Sequence, residues 1–483
     1  MTSPMSQPAT PLSVIGMEPP VEVPALPEVM SSDVMNLYLR LLPHAFWDEL
    51  RKKQQKRRNN CVYTASVVVW LMIIQRWQGD GTLQSGVLEL VRGLPGEFWE
   101  KPCKRLRAGP DGKTPFLSAN TGSYNEARHV LPTAMVEECF DRAFQQLILQ
   151  TNGAAPARRV FIIDGTSVRT AHSKPLTNKY PPASNQHGES HWPTIRTLVA
   201  HDLETGLALR PAWGAMYGSK AVSEAVSEAV SEQELFERIL VRLPDGAVVL
   251  GDINFGVFTV AYSATRNQHP VLLRMSPKRA RSLVKGDLVD GMDVRIRWQP
   301  SDWEKQKHPE LPADACVNGR LIVRQMQPSD GSAAFLLILF TTLEDPIDEL
   351  IALYGKRWDI ELDLRTLKGT LRLDQINCTS PEMVAKEIDV AMLAYNLVRA
   401  VMYMAARKAQ LKPRNFSFSR VRRVINTFLP LIAAASDPLQ TSALFEKMMY
   451  YVGQAKLYKR NRTRNSYPRE AWGQPRVFPK RKA

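Results

Sequence analysis

Short continuous apolar runs alternate along the chain with longer stretches in which apolar residues recur every three or four positions, the pattern of a mixed α/β protein. Two of the short runs, residues 160–163 and 247–250, predict strands that are buried on both faces. The first run stops at Asp164, and the second is followed, after one glycine, by Asp252. Because the carboxyl ends of parallel strands meet at one edge of an open sheet, we expect these two acids to line the same crevice.

The remaining pattern adds a hairpin, several helices and a second group of strands. Strands are predicted at 194–200 and 207–213, joined by a Thr-Gly turn and followed by a helix. We expect that helix to begin in a tandem Ala-Val-Ser-Glu repeat, residues 221–232, which we interpret as scaffold because three tetrapeptides are too short for a solenoid. Strands are also predicted at 271–274, 293–298, 320–325 and 334–341, and the chain becomes helical from 346 to about 411.

The charge balance indicates a polyanionic partner. The 483 residues include 63 Lys and Arg against 48 Asp and Glu, a net charge of +15. Six positive charges fall within residues 51–58, a run that suits a DNA contact and a solvated linker equally well. Ten more lie in the tail 456–483 beside one acid, Glu470, and aromatic residues are interleaved with them. We expect this tail to bind DNA, with a disordered solubilising tail as the alternative.

Cysteine usage and hydropathy exclude several classes of protein. The five cysteines lie far apart and form no C-x-x-C pair, which argues against a disulfide framework and a zinc ribbon and fits a reducing cytosol. The longest apolar stretch, residues 62–74, is too short to span a membrane and is interrupted by polar residues. The N-terminus lacks the basic and apolar regions of a secretory signal. We therefore expect a cytoplasmic protein with no membrane partner.

A third acid is distinguished by its neighbours in the segment 354–368, Tyr-Gly-Lys-Arg-Trp-Asp-Ile-Glu-Leu-Asp-Leu-Arg-Thr-Leu-Lys. The spacing Y-x₂-R-x₃-E-x₆-K, carried by Tyr354, Arg357, Glu361 and Lys368, resembles the signature of bacterial insertion-sequence transposases of the DDE type. Segments 163–166, 250–255 and 380–387 resemble the same family in the same order along the chain. Four matches in order are far more specific than any one of them.

The resemblance implies a DNA transposase that cleaves transposon ends and joins them to target DNA by a cut-and-paste route. Asp164, Asp252 and Glu361 would be the catalytic residues and the ligands of two Mg²⁺ ions, which Mn²⁺ can replace. Carboxylates suit this role because Mg²⁺ prefers oxygen ligands. The implied partners are terminal inverted repeats and target DNA, with a homodimer in the synaptic complex. The implied location is the bacterial cytoplasm, in association with the nucleoid.

The helix around the third acid should present one functional face. At about 100° per residue, Glu361, Arg365 and Lys368 share a stripe, whereas Asp363 points away from it. We expect Gly355 to interrupt the helix just before this stripe. The residues expected to bind DNA phosphates are Tyr354, Arg357, Arg365 and Lys368.

Fold class and segment boundaries follow from these observations. The order strand, hairpin, helix, strand, helix, strand, helix is that of a ribonuclease-H-like fold, so we predict an α/β protein with such a catalytic core. The predicted segments are a proline-rich disordered tail (1–30), a helical N-terminal DNA-binding domain (31–150), the first part of the core (151–275), a β-rich insertion (276–343), the second part of the core (344–410), and a helical C-terminal region with a basic tail (411–483).

Several alternatives remain open. Asp164 taken alone would most often belong to a turn, and Asp252 would most often cap a helix. The family also implies an aromatic residue that receives a flipped base, for which Trp298, Trp303 and Phe335 are candidates. The loop 187–191 carries two histidines, but its spacing matches no helical zinc motif, and we interpret it as an exposed loop over the cleft. The alternative functions are an inactive or domesticated sequence-specific DNA-binding protein, and a nuclease that cuts without joining strands.

Overall fold

The computed structural model describes residues 33–53, 61–79, 81–108, 115–151, 158–185, 188–218, 229–328, 333–435 and 437–457. Four regions singled out in the sequence lie wholly or partly outside the described residues: the predicted disordered tail, residues 54–58 of the basic run, residues 221–228 of the tandem repeat, and the chain from 458 onward.

The α-helices of the described residues have the following bounds: α1 (Val34–Leu41), α2 (His44–Lys53), α3 (Ala65–Gln78), α4 (Leu83–Arg92), α5 (Gly122–Val130), α6 (Thr133–Gln150), α7 (Lys174–Lys179), α8 (Glu232–Leu240), α9 (Phe258–Arg266), α10 (Pro277–Val284), α11 (Asp302–Lys307), α12 (Ile347–Gly355), α13 (Asp359–Arg365), α14 (Pro381–Ala409), α15 (Phe418–Ala434) and α16 (Pro438–Gly453). A 3₁₀ turn, Lys356–Trp358, joins α12 to α13, and a π-helical turn, Thr366–Thr370, follows α13.

The strands of the described residues are β1 (Val160–Thr170), β2 (Pro182–Asn185), β3 (Gly188–Asp202), β4 (Ala212–Ala215), β5 (Val248–Gly251), β6 (Val271–Arg274), β7 (Asp293–Trp298), β8 (Val317–Met326), β9 (Phe335–Thr341) and β10 (Gln375–Ile376). They form one sheet in the order β2-β3-β1-β5-β6-β9-β8-β7, with β4 paired to β3 and β10 paired to β1. The α/β class predicted from the sequence is confirmed.

The sheet has a parallel centre and antiparallel flanks. β1, β5 and β6 run parallel to one another, whereas β3 pairs with β1 and β9 pairs with β6 in antiparallel fashion. The strands predicted for the β-rich insertion, β7 to β9, are present, and β9 attaches them to β6. The insertion therefore extends the main sheet.

Two predicted boundaries are wrong in a way that matters for the site. The first predicted strand does not stop at Asp164, because β1 continues to Thr170 with hydrogen bonds to β3 along one side and to β10 near its end. The helix begins later than predicted: residues 229–231 of the tandem repeat are not helical, and α8 begins at Glu232, the last residue of the repeat. Ser231 caps the N-terminus of α8: its side-chain oxygen accepts a hydrogen bond from the backbone amide of Glu234, and the Glu234 carboxylate accepts one from the backbone amide of Ser231.

Two further predictions were too coarse. Of the predicted strand 207–213, only the last two residues lie in a strand, β4 (Ala212–Ala215), and before them a single bridge joins His201 to Ala208. The region from 346 to 411, predicted as helical, contains the short strand β10 between α13 and α14. That strand is held by the end of β1, a long-range partner that local sequence patterns do not reveal.

The N-terminal helices share a continuous hydrophobic core with the sheet and with α14. Trp77 of α3 donates from its indole nitrogen to the Ala394 carbonyl of α14 at 3.1 Å. Glu387 of α14 is buried and accepts from both Arg76 and Arg128. The N-terminal helices are thus packed directly against α14.

Helix α14 is long and apolar enough to cross a membrane, with a mean hydropathy of 1.3 over its most apolar window. That window is completely buried among the other helices and the sheet, as expected for a core helix. The predicted buried helix around residues 62–74 is confirmed as α3, which runs from Ala65 to Gln78 and is almost wholly buried.

Candidate active site

Asp164 and Asp252 lie side by side at the parallel centre of the sheet. The register pairs Ile162 of β1 with Leu250 of β5, and each acid comes two residues after its member of that pair. Neighbouring strands lie about 4.8 Å apart, and the charge of Asp252 helps to raise the pKa of Asp164, so the two carboxylates are close to each other. The structure therefore brings the first two predicted site residues together.

The environment of Asp164 disfavours its charged form. Burial is the main cause that raises its pKa to about 6, and the nearby negative charges of Asp252 and Glu232 add to the effect. Two features oppose this rise in the pKa of Asp164: a hydrogen bond from the Gly165 backbone amide at 2.8 Å and the positive charge of Arg357. The site thus concentrates negative charge that the surrounding protein only partly neutralises.

Asp252 lies in the turn directly after β5. One of its carboxylate oxygens accepts from the Asn254 backbone at 2.9 Å, which fixes the direction in which the side chain leaves the strand. Ile253, which stands between them, is exposed. Its side chain cannot bind phosphate, so this position offers no cation to a DNA strand.

Glu361 lies on α13, which packs against β1. Its carboxylate is 3.9 Å from the Arg357 guanidinium, and Arg357 also interacts electrostatically with Asp164. Arg357 is buried in the 3₁₀ turn Lys356–Trp358, and Tyr354, at the end of α12, is buried beside it. Burial raises the pKa of Tyr354, whose hydroxyl lies in the fields of Arg357 and Asp252. The predicted break at Gly355 corresponds to the end of α12.

Lys368 and Arg365 are placed differently from what a regular α-helix through residue 368 predicts. Arg365 is the last residue of α13 and is exposed, whereas Lys368 lies in the π-helical turn, where the angle of about 100° per residue no longer holds. Lys368 nonetheless lies near one of the three acids: burial lowers its pKa, and the charges of Asp374 and Asp164 counteract that effect.

Asp363, on the opposite side of α13 from Glu361, is almost completely buried. It accepts from Arg399 of α14, from Arg414 at 2.9 Å, and lies 3.4 Å from the His201 ring on β3. The charges of Arg399 and Arg414 outweigh the effect of burial and hold the pKa of Asp363 below its usual value. This cluster fixes α13 against both α14 and the sheet.

One acid close to the pair was not predicted. Glu232 begins α8, and its carboxylate packs directly over Gly165, the residue after Asp164. In the sequence it is the last of three identical repeat glutamates, so no local signal distinguishes it from the other two.

The remaining candidates are spread across the molecule. Trp298 is buried and packs against Phe258 and Phe340, so the structure makes it a core residue and removes it from the candidates for a flipped base. Trp303 and Phe335 are both exposed. His191 is exposed and stacks on His172, whereas His187 lies outside the described residues.

The donor set fits hard divalent cations. Asp164, Asp252 and Glu361 offer carboxylate oxygens, and burial, together with the charges of Asp252 and Glu232, disfavours the charged form of Asp164, which a bound cation would stabilise. Among the described residues, however, no three His, Cys, Asp or Glu side chains already converge on one point at metal-ligand spacing. Glu361 is directed toward Arg357 and is 43% exposed, so it is the member that stands apart from the pair.

Comparison with known proteins identifies the family. The family model described as transposase DDE domain matches residues 155–397, which is half of the chain and includes all three predicted acids. The protein therefore belongs to the DDE transposase family.

Among known proteins, the chain is similar to the transposase InsG for insertion sequence element IS4 of Escherichia coli (strain K12). The two are 24% identical over 340 residues, covering 67% of this chain and 70% of the relative. This confirms the predicted resemblance to bacterial insertion-sequence transposases. A likeness was also found to the cryo-EM structure of the piggyBac transposase synaptic complex with hairpin DNA, at 10% identity, covering 91% of this chain and 88% of the other, with a TM-score of 0.42. That likeness is too weak to bear on the fold.

Proposed function

We propose that this protein is a DNA transposase that cleaves the ends of an insertion sequence and joins them to target DNA by a cut-and-paste route. The observation that carries the proposal is the position of Asp164, on β1, near Asp252, which directly follows the neighbouring parallel strand β5, in a chain of the DDE transposase family. The comparison with InsG, a transposase named for an insertion sequence, supports the same class of reaction.

Asp164, Asp252 and Glu361 are the proposed ligands of two divalent cations, Mg²⁺ in the cell with Mn²⁺ as a substitute. When bound, the cations supply the Lewis acidity that stabilises charge on the phosphoryl oxygens. Asp164 and Asp252 hold fixed positions because strand pairing and the Asn254 turn orient them. Glu361 completes the set by turning from Arg357 toward the pair, a rearrangement that its partial exposure allows.

Cleavage and joining are the same exchange with different nucleophiles. In cleavage, a bond forms between the oxygen of water and phosphorus, the bond from phosphorus to O3′ breaks, and the departing oxygen gains a proton as the water loses one. In joining, the freed 3′-hydroxyl takes the place of water and attacks a phosphodiester of the target. The number of phosphodiester bonds is conserved in the second step, so no nucleotide cofactor is needed.

The DNA end lies, in this proposal, along the basic residues that surround the acids. Lys368 and Arg365 reach phosphates directly, Lys368 beside Asp164 and Arg365 from the exposed end of α13. Arg357 and Tyr354 are buried, so they act at the bottom of the cleft, where the strand enters the site. The Arg357 guanidinium would then pair with a phosphate in place of Glu361.

Three broader assignments belong to the same proposal. The core is ribonuclease-H-like, which is supported by the neighbours β4-β3-β1-β5-β6 and by their parallel and antiparallel directions. Two copies assemble on paired transposon ends, and the protein acts in the bacterial cytoplasm at the nucleoid. The helical segment 31–150 and the basic tail contribute further DNA contacts, as the charge of +15 favours.

The proposal is tested with the DNA that flanks the coding sequence, taken as the candidate transposon end. Asp164→Asn, Asp252→Asn and Glu361→Gln each remove a charge and keep the shape of the side chain. We expect each to lower the cleavage rate in Mg²⁺ by more than about 100-fold, since losing only an outer partner of a metal ligand costs 10- to 100-fold. DNA binding in a gel shift should be retained.

Asp302→Asn is the matched control, because Asp302 is fully exposed on α11 and pairs only loosely with Lys305, at 3.8 Å. Cleavage by this variant should equal that of the wild type. If one of the three amide variants also cleaves at the wild-type rate, that residue is not a ligand. If the wild type cuts the end but never joins it to target DNA, the protein is a nuclease, and if it binds without cutting, it is a DNA-binding protein only.

A further inference from the structure

Glu232 occupies an unusual place for the first residue of a helix. Acids at this position normally face solvent or the free backbone amides of the first turn. The Glu232 carboxylate instead lies on the backbone of β1, where a methyl group added to Gly165 would overlap its Oε1 and Cδ atoms and lie 3.0 Å from its Cγ atom. Only glycine at position 165 permits this approach.

The close approach brings Glu232 into the field of the two paired acids. Burial is the main cause that raises the pKa of Glu232, and the negative charge of Asp252 raises it further. In turn, the negative charge of Glu232 raises the pKa of Asp164. Arg196 of β3 acts in the opposite direction and is the cation that stabilises the charged form of Glu232.

The local fold holds Glu232 in this place from both sides. The preceding Val230 donates its backbone amide to the Ala215 carbonyl at the end of β4, at 2.9 Å, and packs against Gly214. The following residues are held by the Ser231 capping box. Burial and the charge of Asp252 make the charged form of Glu232 unfavourable, and a cation bound nearby would reduce this cost.

We propose that Glu232 is a fourth carboxylate of the cation site, which accepts hydrogen bonds from the water molecules of the cations held by Asp164 and Asp252. Mg²⁺ keeps several of its waters when it binds to proteins, so a carboxylate just beyond the direct ligands has donors to accept from. The inference rests on the proposed function, because it assumes that Asp164 and Asp252 hold cations.

A purely structural role makes the opposite prediction. In that case Glu232 would only pair with Arg196 and stabilise the N-terminal end of α8. Its loss would lower the stability of the folded protein without changing cation binding. The two roles are separated by measuring cation affinity and cation-free stability on the same variants.

The experiment measures Mn²⁺ binding to the full-length protein by electron paramagnetic resonance, with Mg²⁺ as competitor and no DNA. Glu232→Gln should weaken Mn²⁺ binding by about 10- to 100-fold, the usual cost of losing an outer partner at a metal site. Its thermal midpoint without cations should equal or exceed that of the wild type, because one of several clustered negative charges is removed. Gly165→Ala should weaken binding similarly, since its methyl group displaces the Glu232 carboxylate.

Glu237→Gln is the matched control: it is the same change on the same helix, at an exposed position. Its Mn²⁺ affinity should match that of the wild type. If Asp252→Asn weakens binding but Glu232→Gln or Gly165→Ala does not, the role of Glu232 is overturned and the proposed cation site stands. If Asp252→Asn and Glu232→Gln both bind Mn²⁺ as the wild type does, both the proposed cation site and the proposed role of Glu232 are refuted.

Discussion

Replacing Asp363 by Asn should strongly destabilise the protein, although the residue takes no part in the chemistry. Asp363 is almost fully buried and is the common acceptor of two guanidinium groups, those of Arg399 and Arg414. Removing one partner of a buried ion pair typically costs about 3 to 5 kcal/mol, because the remaining charge stays buried without compensation.

The structure places the cost near the lower end of that range. Arg399 keeps a hydrogen bond to the Tyr395 hydroxyl at 2.7 Å, and Arg414 keeps its bonds to the Leu203 and Asp202 carbonyls at 2.6 and 3.1 Å. We therefore expect a loss of about 3 kcal/mol, a large part of the roughly 5 to 15 kcal/mol that stabilises a typical protein.

The measurement is the urea midpoint of unfolding, compared with that of Asp348→Asn. Asp348 is 90% exposed and pairs with Arg324 at 3.0 Å, and exposed pairs of this kind contribute about 1 kcal/mol or less. A midpoint for Asp363→Asn that falls no further than that of Asp348→Asn would refute the reasoning. The expected outcome also means that Asp363, which the helical spacing placed opposite Glu361, cannot serve as a silent control for the site.

Three further outcomes are expected. Lys368→Ala should reduce by about 0.9 the slope of log affinity for the transposon end against log salt concentration, which is the effect of one lost phosphate contact. Lys408→Ala should leave the slope unchanged, because Lys408 already pairs with Glu446. Burial lowers the pKa of His201 to about 4, so its ring stays neutral in the folded protein, whereas in the unfolded chain it takes up a proton below about pH 6.5. The free energy of unfolding should therefore fall by about 3 kcal/mol between pH 6.5 and 4. In acid-unfolding curves, His201→Asn should lose this dependence on pH. A chain ending at Ala455, verified to be folded by its thermal transition, should lose several units of salt slope if the basic tail binds DNA, and an unchanged slope would leave the tail without a role in binding.

The sequence alone was sufficient for the features that local patterns encode. Apolar runs marked β1, β5 and the buried α3, and the α/β class followed from their alternation with helical periodicity. The first two acids could be predicted together because each closely follows a short run of buried apolar residues. The family could be recognised because the spacing of Tyr354, Arg357, Glu361 and Lys368 is a property of the chain itself.

Tertiary structure decided what depends on partners distant in sequence. β1 continues past Asp164 because β3 and β10 supply hydrogen bonds that no local pattern reveals, and the predicted insertion joins the sheet through β6. Asp363 and Glu361 are both acids on one short helix. Asp363 is buried because it pairs with arginines of a later segment, whereas Glu361 is 43% exposed. The last of three identical glutamates lies beside the paired acids only because Gly165 leaves room for it. Local sequence sets which elements form, whereas burial, charge pairing and close approach are set by the residues that the fold brings together.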